Sequence, residues 1–251
     1  AAVSGSNVVW RGGEGGNEEI YFYDGVTTTL VPSTSTRNVE PDISGSNVVW
    51  VGSGEANIRG NVAEGNGIYR STDAGETWER VWTTEGQIGT IAVHPADPDV
   101  AFAAVLGSPF GPGPDRGVFR TTDGGETWQK VLYKDPDTGA SDVCFHQSNP
   151  RILFAGLWQT RRYPWGMTSG GPGSGLYVSR NGGDTWKKLE GNGLPEGIWG
   201  KVGVRVAANE PLEHVVDRDA PEPPALLDER IQMGRLVPHV HHELRGGPGR
   251  M

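Results

Sequence analysis

Three copies of one short phrase constrain this chain more than anything else in it. GIYRSTDAGETW occupies 67–78, GVFRTTDGGETW occupies 117–128, and GLYVSRNGGDTW occupies 175–186. Their common frame is Ser/Thr, any residue, Asp/Asn, any residue, Gly, acidic, Thr, Trp. It reads as Ser71, Asp73, Gly75 and Trp78, then Thr121, Asp123, Gly125 and Trp128, then Ser179, Asn181, Gly183 and Trp186. Apolar pairs before the frame start a strand, and the residues after Trp make the return strand. The Asp or Asn can accept backbone N–H groups one or two residues on and close the turn. Gly supplies a positive φ. The Ser/Thr hydroxyls tie the arms together, and the indole covers the hairpin with a large apolar face. Each copy is therefore expected to be a self-stapled β-hairpin.

The phrase resembles the Asp-box, or BNR, repeat of sialidases, sortilin-type receptors and several glycoside hydrolases. In those families the box is a structural turn remote from the chemistry. The resemblance thus assigns Asp73 and Asp123 a structural role rather than that of a catalytic acid. NVVWVG at 47–52 and the following GSGEANIR look like the opening of a sortilin-like or glycosyl-hydrolase-like member, and the likeness runs over 47–208.

A second repeat precedes these. VSGSNVVW at 3–10 returns as ISGSNVVW at 43–50, and a spacing of about 40 residues is that of one four-stranded propeller blade. Strands are predicted at 7–10, 19–23 and 27–31, with Asp24-Gly25 as a hairpin dipeptide. The phrases SGSNVVW and EIYFYDG resemble the TolB-like propeller repeat. Further on, inner strands are predicted at 88–94, 140–146 and 201–206, and second strands at 100–106 and 151–158. ADPD at 96–99 is read as a turn, and 107–116 and 159–174 as loops. The fold class is all-β: a β-propeller of four-stranded antiparallel blades, about four plus a partial one, incomplete or open. Three regions are expected: a TolB-like blade at 1–46, Asp-box blades at 47–211, and an atypical tail at 212–251, disordered or partly helical. The tail breaks the repeat grammar and reads as spliced or out of frame. Its His239, His241 and His242 lack a supporting carboxylate or Cys spacing, so no metal site is assigned.

Composition removes several functions. A net charge of −9 argues against nucleic acid and anionic membrane surfaces. No apolar run approaches about 18 residues, so no membrane insertion is expected. The single Cys144 excludes an internal disulfide and reads as a buried small hydrophobe rather than a nucleophile. No signal peptide is visible in this chain, and the family resemblance implies an extracellular or periplasmic setting. No cofactor is implied.

Antiparallel geometry orders the surfaces. Turns between strands one and two and between three and four share one end of a blade; the remaining loops share the other. The boxes should lie on one face, with loops 52–66, 107–116 and 159–174 opposite. The richest loop carries Arg161, Arg162, Tyr163 and Trp165, and loop 52–66 adds Glu55, Asn57 and Arg59. Aromatic rings stack on sugars or peptide side chains, and arginine pairs with carboxylates; equally, Trp158 and Trp165 could pack the blade and the arginines form a solvated rim. Asp142 is the best-placed lone carboxylate, with Glu55 as its partner if the two meet near the channel, since glycoside hydrolysis needs two carboxyls about 5–10 Å apart. His94 and His146 are expected to be structural. A sialidase is disfavoured, because its opening FRIP-like phrase is missing and the arginines cluster in one loop. A cleavage activity like that of the xyloglucan-cutting Asp-box enzymes would need two propellers enclosing a cleft, and this chain has less than one. The primary expectation is a non-catalytic recognition or scaffold propeller with a protein or glycan ligand. The alternatives are a glycoside-hydrolase-like enzyme, or part of one, and a fragment without independent activity. Open edges could also take further blades or self-associate.

Overall fold

The computed structural model describes residues 48–59 and 62–207 and, before them, five strands between residues 2 and 44. The tail at 212–251, with its histidine cluster, lies outside the described residues.

Seventeen strands form four antiparallel meanders, and no helix occurs among the described residues. The first sheet is β1 (Ala2–Ser4), β2 (Asn7–Gly12), β3 (Glu19–Tyr23) and β4 (Thr28–Val31). The second is β5 (Asp42–Ser44), β6 (Val48–Gly52), β7 (Ile68–Ser71) and β8 (Glu79–Trp82). SGSNVVW therefore supplies the first two strands of a sheet that the first box completes. The third is β9 (Gln87–His94), β10 (Asp97–Gly107), β11 (Gly117–Thr121) and β12 (Gln129–Leu132). The fourth contains β13 (Thr138–Phe145), β14 (Leu153–Tyr163), β16 (Gly175–Ser179) and β17 (Lys187–Leu189), with β15 (Gly166–Ser169) paired to β14 alone. β1 lies against β5, β5 and β6 against β9, and β9 and β10 against β13. Inner strands are thus neighbours from sheet to sheet, which is the arrangement of propeller blades.

Apolar side chains fill the spaces between blades. Trp50, Trp82, Ile88, Val105 and Phe119, with Trp128, seal the second blade to the third. Trp82 meets Phe119 edge-on at 4.7 Å and Trp128 at 5.6 Å. Phe102, Val118, Val143, Leu157 and Tyr177, with Trp186, seal the third to the fourth.

Every box forms the expected hairpin, with longer reaches than the sequence suggests. Asp73 accepts the Thr77 N–H at 2.9 Å and the Thr77 hydroxyl at 2.5 Å, four residues on rather than one or two. The Ser71 hydroxyl donates to Asp73 at 2.7 Å and accepts the Gly75 N–H at 2.7 Å. Asp123 repeats the pattern with Thr127. Asn181 likewise accepts the Thr185 N–H at 3.0 Å, but its side-chain amide donates to the Thr185 hydroxyl at 3.0 Å, reversing that bond. The indole N–H groups of Trp78 and Trp186 close on their own turns at Gly75 O and Gly183 O, both 3.0 Å. Trp128 instead reaches back to Val81 O of the preceding blade at 3.1 Å.

The boxes also receive the blade before them, which the sequence reading missed. Arg70 of β7 donates to Gly124 O at 3.2 Å and pairs with Asp99. Arg120, one repeat later, donates to Gly182 O at 2.9 Å and to Asp184 at 2.6 Å. The same position in the fourth blade is Val178, buried with Phe154, Leu176, Val202 and Val204.

Three expectations are corrected. Residues 159–174 are not simply a loop: β14 runs on to Tyr163 and folds back through Pro164-Trp165 into β15, with Thr160 to Tyr163 pairing Ser169 to Gly166. ADPD is not the turn, since β10 already begins at Asp97, opposite His94. Residues 201–206 are not in a strand. They run extended against β13, where Val202 O accepts the Ser141 hydroxyl at 2.7 Å and Val204 N–H binds Asp142 at 2.7 Å.

Candidate functional site

The box turns pack beside the first turns of their blades: Gly124 N–H donates to Asp99 O at 2.9 Å and Gly182 N–H to Arg151 O at 2.8 Å. At the other ends of the strands the long loops meet one another. Gly113 N–H reaches Pro136 O at 3.0 Å and Arg162 N–H reaches Pro109 O at 2.7 Å. Loop 53–66 lies across this face, with Ile58 packed on Leu106 and Trp158 beside Val62 and Met167. Asn57 pairs with Lys201.

Among the sequence candidates, the aromatic pair stands outermost. Tyr163 ends β14 and Trp165 lies in the β14–β15 turn, their rings stacked at 5.6 Å and 17°. Trp165 is 84% exposed. Phe110 and Ile198, both exposed, stand on neighbouring loops. Trp158, by contrast, is a buried packing residue.

The arginines serve the loops themselves. Arg161 pairs with Asp137. Arg162 donates to Arg59 O at 3.2 Å and to Gly166 O at 2.6 Å. Arg59 pairs with Glu55 at 3.0 Å. The second Glu55 oxygen accepts the Ala63 N–H at 2.9 Å, so Glu55 holds its loop closed. Arg116, absent from the sequence candidates, is buried beneath loop 107–116 and donates to Ser108 O, Gly111 O and Asp137 O. Burial lowers its pKa, an effect that Asp137 partly offsets. Its only sequence signal was its place directly before Gly117.

The two candidate carboxylates each have structural partners. Asp142 is in the middle of β13, not at its start, and is 6% exposed. It accepts the Thr90 hydroxyl at 2.6 Å, the Val143 N–H at 3.0 Å and the Val204 N–H at 2.7 Å, and it pairs with Arg205 at 2.7 Å. That is a staple joining two blades to the segment after them. Glu55 has its own separate partners in loop 53–66. Asp73 and Asp123 are each held at about 2 by hydrogen bonds, first from the Thr77 and Thr127 side chains. They are ionised at neutral pH and cannot act there as proton donors. Burial, then the Asp142 charge, pushes the Cys144 thiol up to about 12, which removes it as a nucleophile. The His146 ring accepts the Ser148 and Asn149 N–H groups at 3.2 Å, and burial lowers its pKa. His94 likewise accepts the Ala96 N–H. No cluster of metal-ligating side chains occurs among the described residues, and no described helix is long and apolar enough to cross a membrane.

Four-stranded meanders stacked through their inner strands, with a stapled turn closing three of them, define a β-propeller of the Asp-box class. The Sortilin-Vps10 family, described as sortilin, neurotensin receptor 3, matches residues 66–204. That is more than half of the chain, and the protein belongs to this family. Among solved structures, the GH74 enzyme of Niastella koreensis is similar with a TM-score of 0.52 and 20% identity, over 75% of this chain and 29% of its own. The GH74 xyloglucanase of Xanthomonas campestris is similar with a TM-score of 0.51 and 14% identity, over 81% of this chain and 32% of its own. The chain spans about a third of the length of these enzymes, and at such identities the likeness is one of fold. No curated protein matches the sequence.

Proposed function

We propose that this propeller is a recognition module that binds a glycan through the loop face, centred on the Tyr163–Trp165 stack. In this reading a TolB-like blade precedes the Asp-box blades, whose first sheet begins at β5 (Asp42–Ser44) rather than at 47, residues 212–251 form a separate tail, and the protein works outside the cytoplasm. The observation that carries the proposal is the 84% exposure of Trp165 beside a stacked Tyr163. A large ring held open to solvent on a two-residue turn, with one face stacked on Tyr163, offers its other face to a sugar ring. The engaged arginines favour stacking over charge pairing as the means of recognition.

A second reading, a part of a glycoside-hydrolase-like enzyme, draws on the fold likeness to the GH74 enzymes. Against it, both candidate carboxylates are occupied by structural partners. A glycan array combined with reducing-sugar release separates the two. Binding without release supports the module, and release supports the enzyme. Trp165→Ala is expected to abolish glycan binding while leaving the melting temperature unchanged, because its ring packs on little else. Undiminished binding by that variant, or capture of a protein ligand in place of any glycan, would overturn the proposal. A broad melt with aggregation would instead point to a fragment with open blade faces.

A further inference from the structure

Arg162 was expected to contact a ligand, but its bonds run inward. Its own N–H donates to Pro109 O at 2.7 Å, tying the hairpin to the third blade's loop. Its Nε donates to Arg59 O at 3.2 Å, on the second blade's loop. Its Nη1 donates to Gly166 O at 2.6 Å and to Tyr163 O, and these two residues pair across the turn that carries Trp165. A guanidinium presents five N–H groups in a fixed plane, so one side chain can span a turn and a neighbouring loop together. Nearby contacts reinforce the arrangement. The Thr160 hydroxyl donates to Thr168 O at 2.8 Å across the hairpin, and Met167 packs with Ile58 and Trp158.

We propose that Arg162 is a positioning residue: its guanidinium locks the aromatic hairpin tip to the second blade's loop, beside the backbone tie to the third blade's loop, and acts on binding through Tyr163 and Trp165, without touching the ligand. This rests on the loop-face reading above. An ammonium group cannot replace the fork, since it is a single point charge. Arg161 is the natural comparison, because its partner Asp137 lies on the crossover and not at the tip.

The test measures hydrogen exchange of the 160–169 amides and calorimetric binding of a xyloglucan oligosaccharide. The parent is compared with Arg162→Met, Arg162→Lys, Arg161→Met and Trp165→Ala. Arg162→Met should speed exchange at the tip by about tenfold and weaken binding to a similar degree, with the global melt little changed. Arg162→Lys should behave like Arg162→Met, and Arg161→Met should leave exchange at the tip as in the parent. In the Trp165→Ala background, Arg162→Met should cause no further loss of binding. Weakened binding with unchanged exchange would mean that Arg162 touches the ligand, and would overturn the proposal. So would full rescue by Arg162→Lys, or unchanged exchange and unchanged binding. If the parent binds no xyloglucan oligosaccharide, the glycan reading loses its support, while the exchange arm still decides whether Arg162 sets the tip.

Discussion

Replacing Asp142 should unfasten the blades rather than stop a reaction. In Asp142→Ala, the Val204 N–H and the Thr90 hydroxyl lose their acceptor. The Val143 N–H keeps the Thr90 oxygen at 3.2 Å. Each buried polar group left unpaired costs about 1–3 kcal/mol, so the two together cost about 2–6 kcal/mol. Arg205 adds little, because its side chain is 63% exposed and water screens the pair. Taking a middle value of about 4 kcal/mol, and about 2–4 °C per kcal/mol for a chain of this size, the melting temperature should fall by about 10 °C. Asp142→Asn keeps one oxygen for Thr90 but turns an NH2 group toward the Val204 N–H and Arg205, so about half that loss is expected. Scanning calorimetry supplies the melting temperature, and hydrogen exchange at the Val204 amide shows whether the loss is local. An Asp142→Asn protein that melts with the parent, keeps that amide protected and loses only a hydrolytic activity would refute the staple.

Acid should loosen two boxes and spare the third. Asp73 and Asp123 are held at about 2 in the folded chain, below the unfolded value of about 3.9. Their contribution is fully present above about pH 4 and is lost as the pH falls towards 2. Asn181 carries no such charge, so exchange across 121–128 should rise in that window while exchange across 179–186 does not. Gly117→Ala should destabilise by about 1–3 kcal/mol or more. Gly117 has φ +109, and an added Cβ would stand 2.0 Å from Leu132 O. Gly175→Ala should be milder, since the added atom meets only the flexible end of Lys188; urea unfolding of both variants checks the order. Arg120→Met should expose the 182–184 amides to exchange while costing less than about 1 kcal/mol overall, because Asp184 is largely solvent-exposed.

Much of the architecture was legible because it is local. A Ser/Thr, an Asp or Asn and a Gly at fixed spacing satisfy one another's hydrogen bonds within the turn, so the box at 71–78 and its two repeats specify a hairpin wherever they occur, although the Trp128 indole finds its acceptor in the preceding blade. The strand pairs followed from the apolar pairs before each box. Antiparallel connection then set which loops meet. Boundaries read less well where turn-type residues run on into a strand, as at Asp97-Pro98-Asp99, and where polar residues make up the paired strands, as in the hairpin around Pro164-Trp165.

The roles of single side chains were not legible. Asp142, Glu55 and Arg162 look alike to a sequence reader: polar groups near a loop face. Whether each is free for a ligand depends on which donors and acceptors the neighbouring blades bring within about 3 Å. For two of them those neighbours come from far along the chain, Thr90 and Val204 for Asp142 and the Arg59 carbonyl for the Arg162 guanidinium, while Glu55 is held by Arg59 and Ala63 of its own loop. The repeat by itself determined that this chain builds stapled blades, because the energy of each turn resides in adjacent residues. Only the packing of blade on blade decided that the arginines and carboxylates brace the loops, leaving Trp165 turned to solvent, because such partners are set by distance in space and not by distance in sequence.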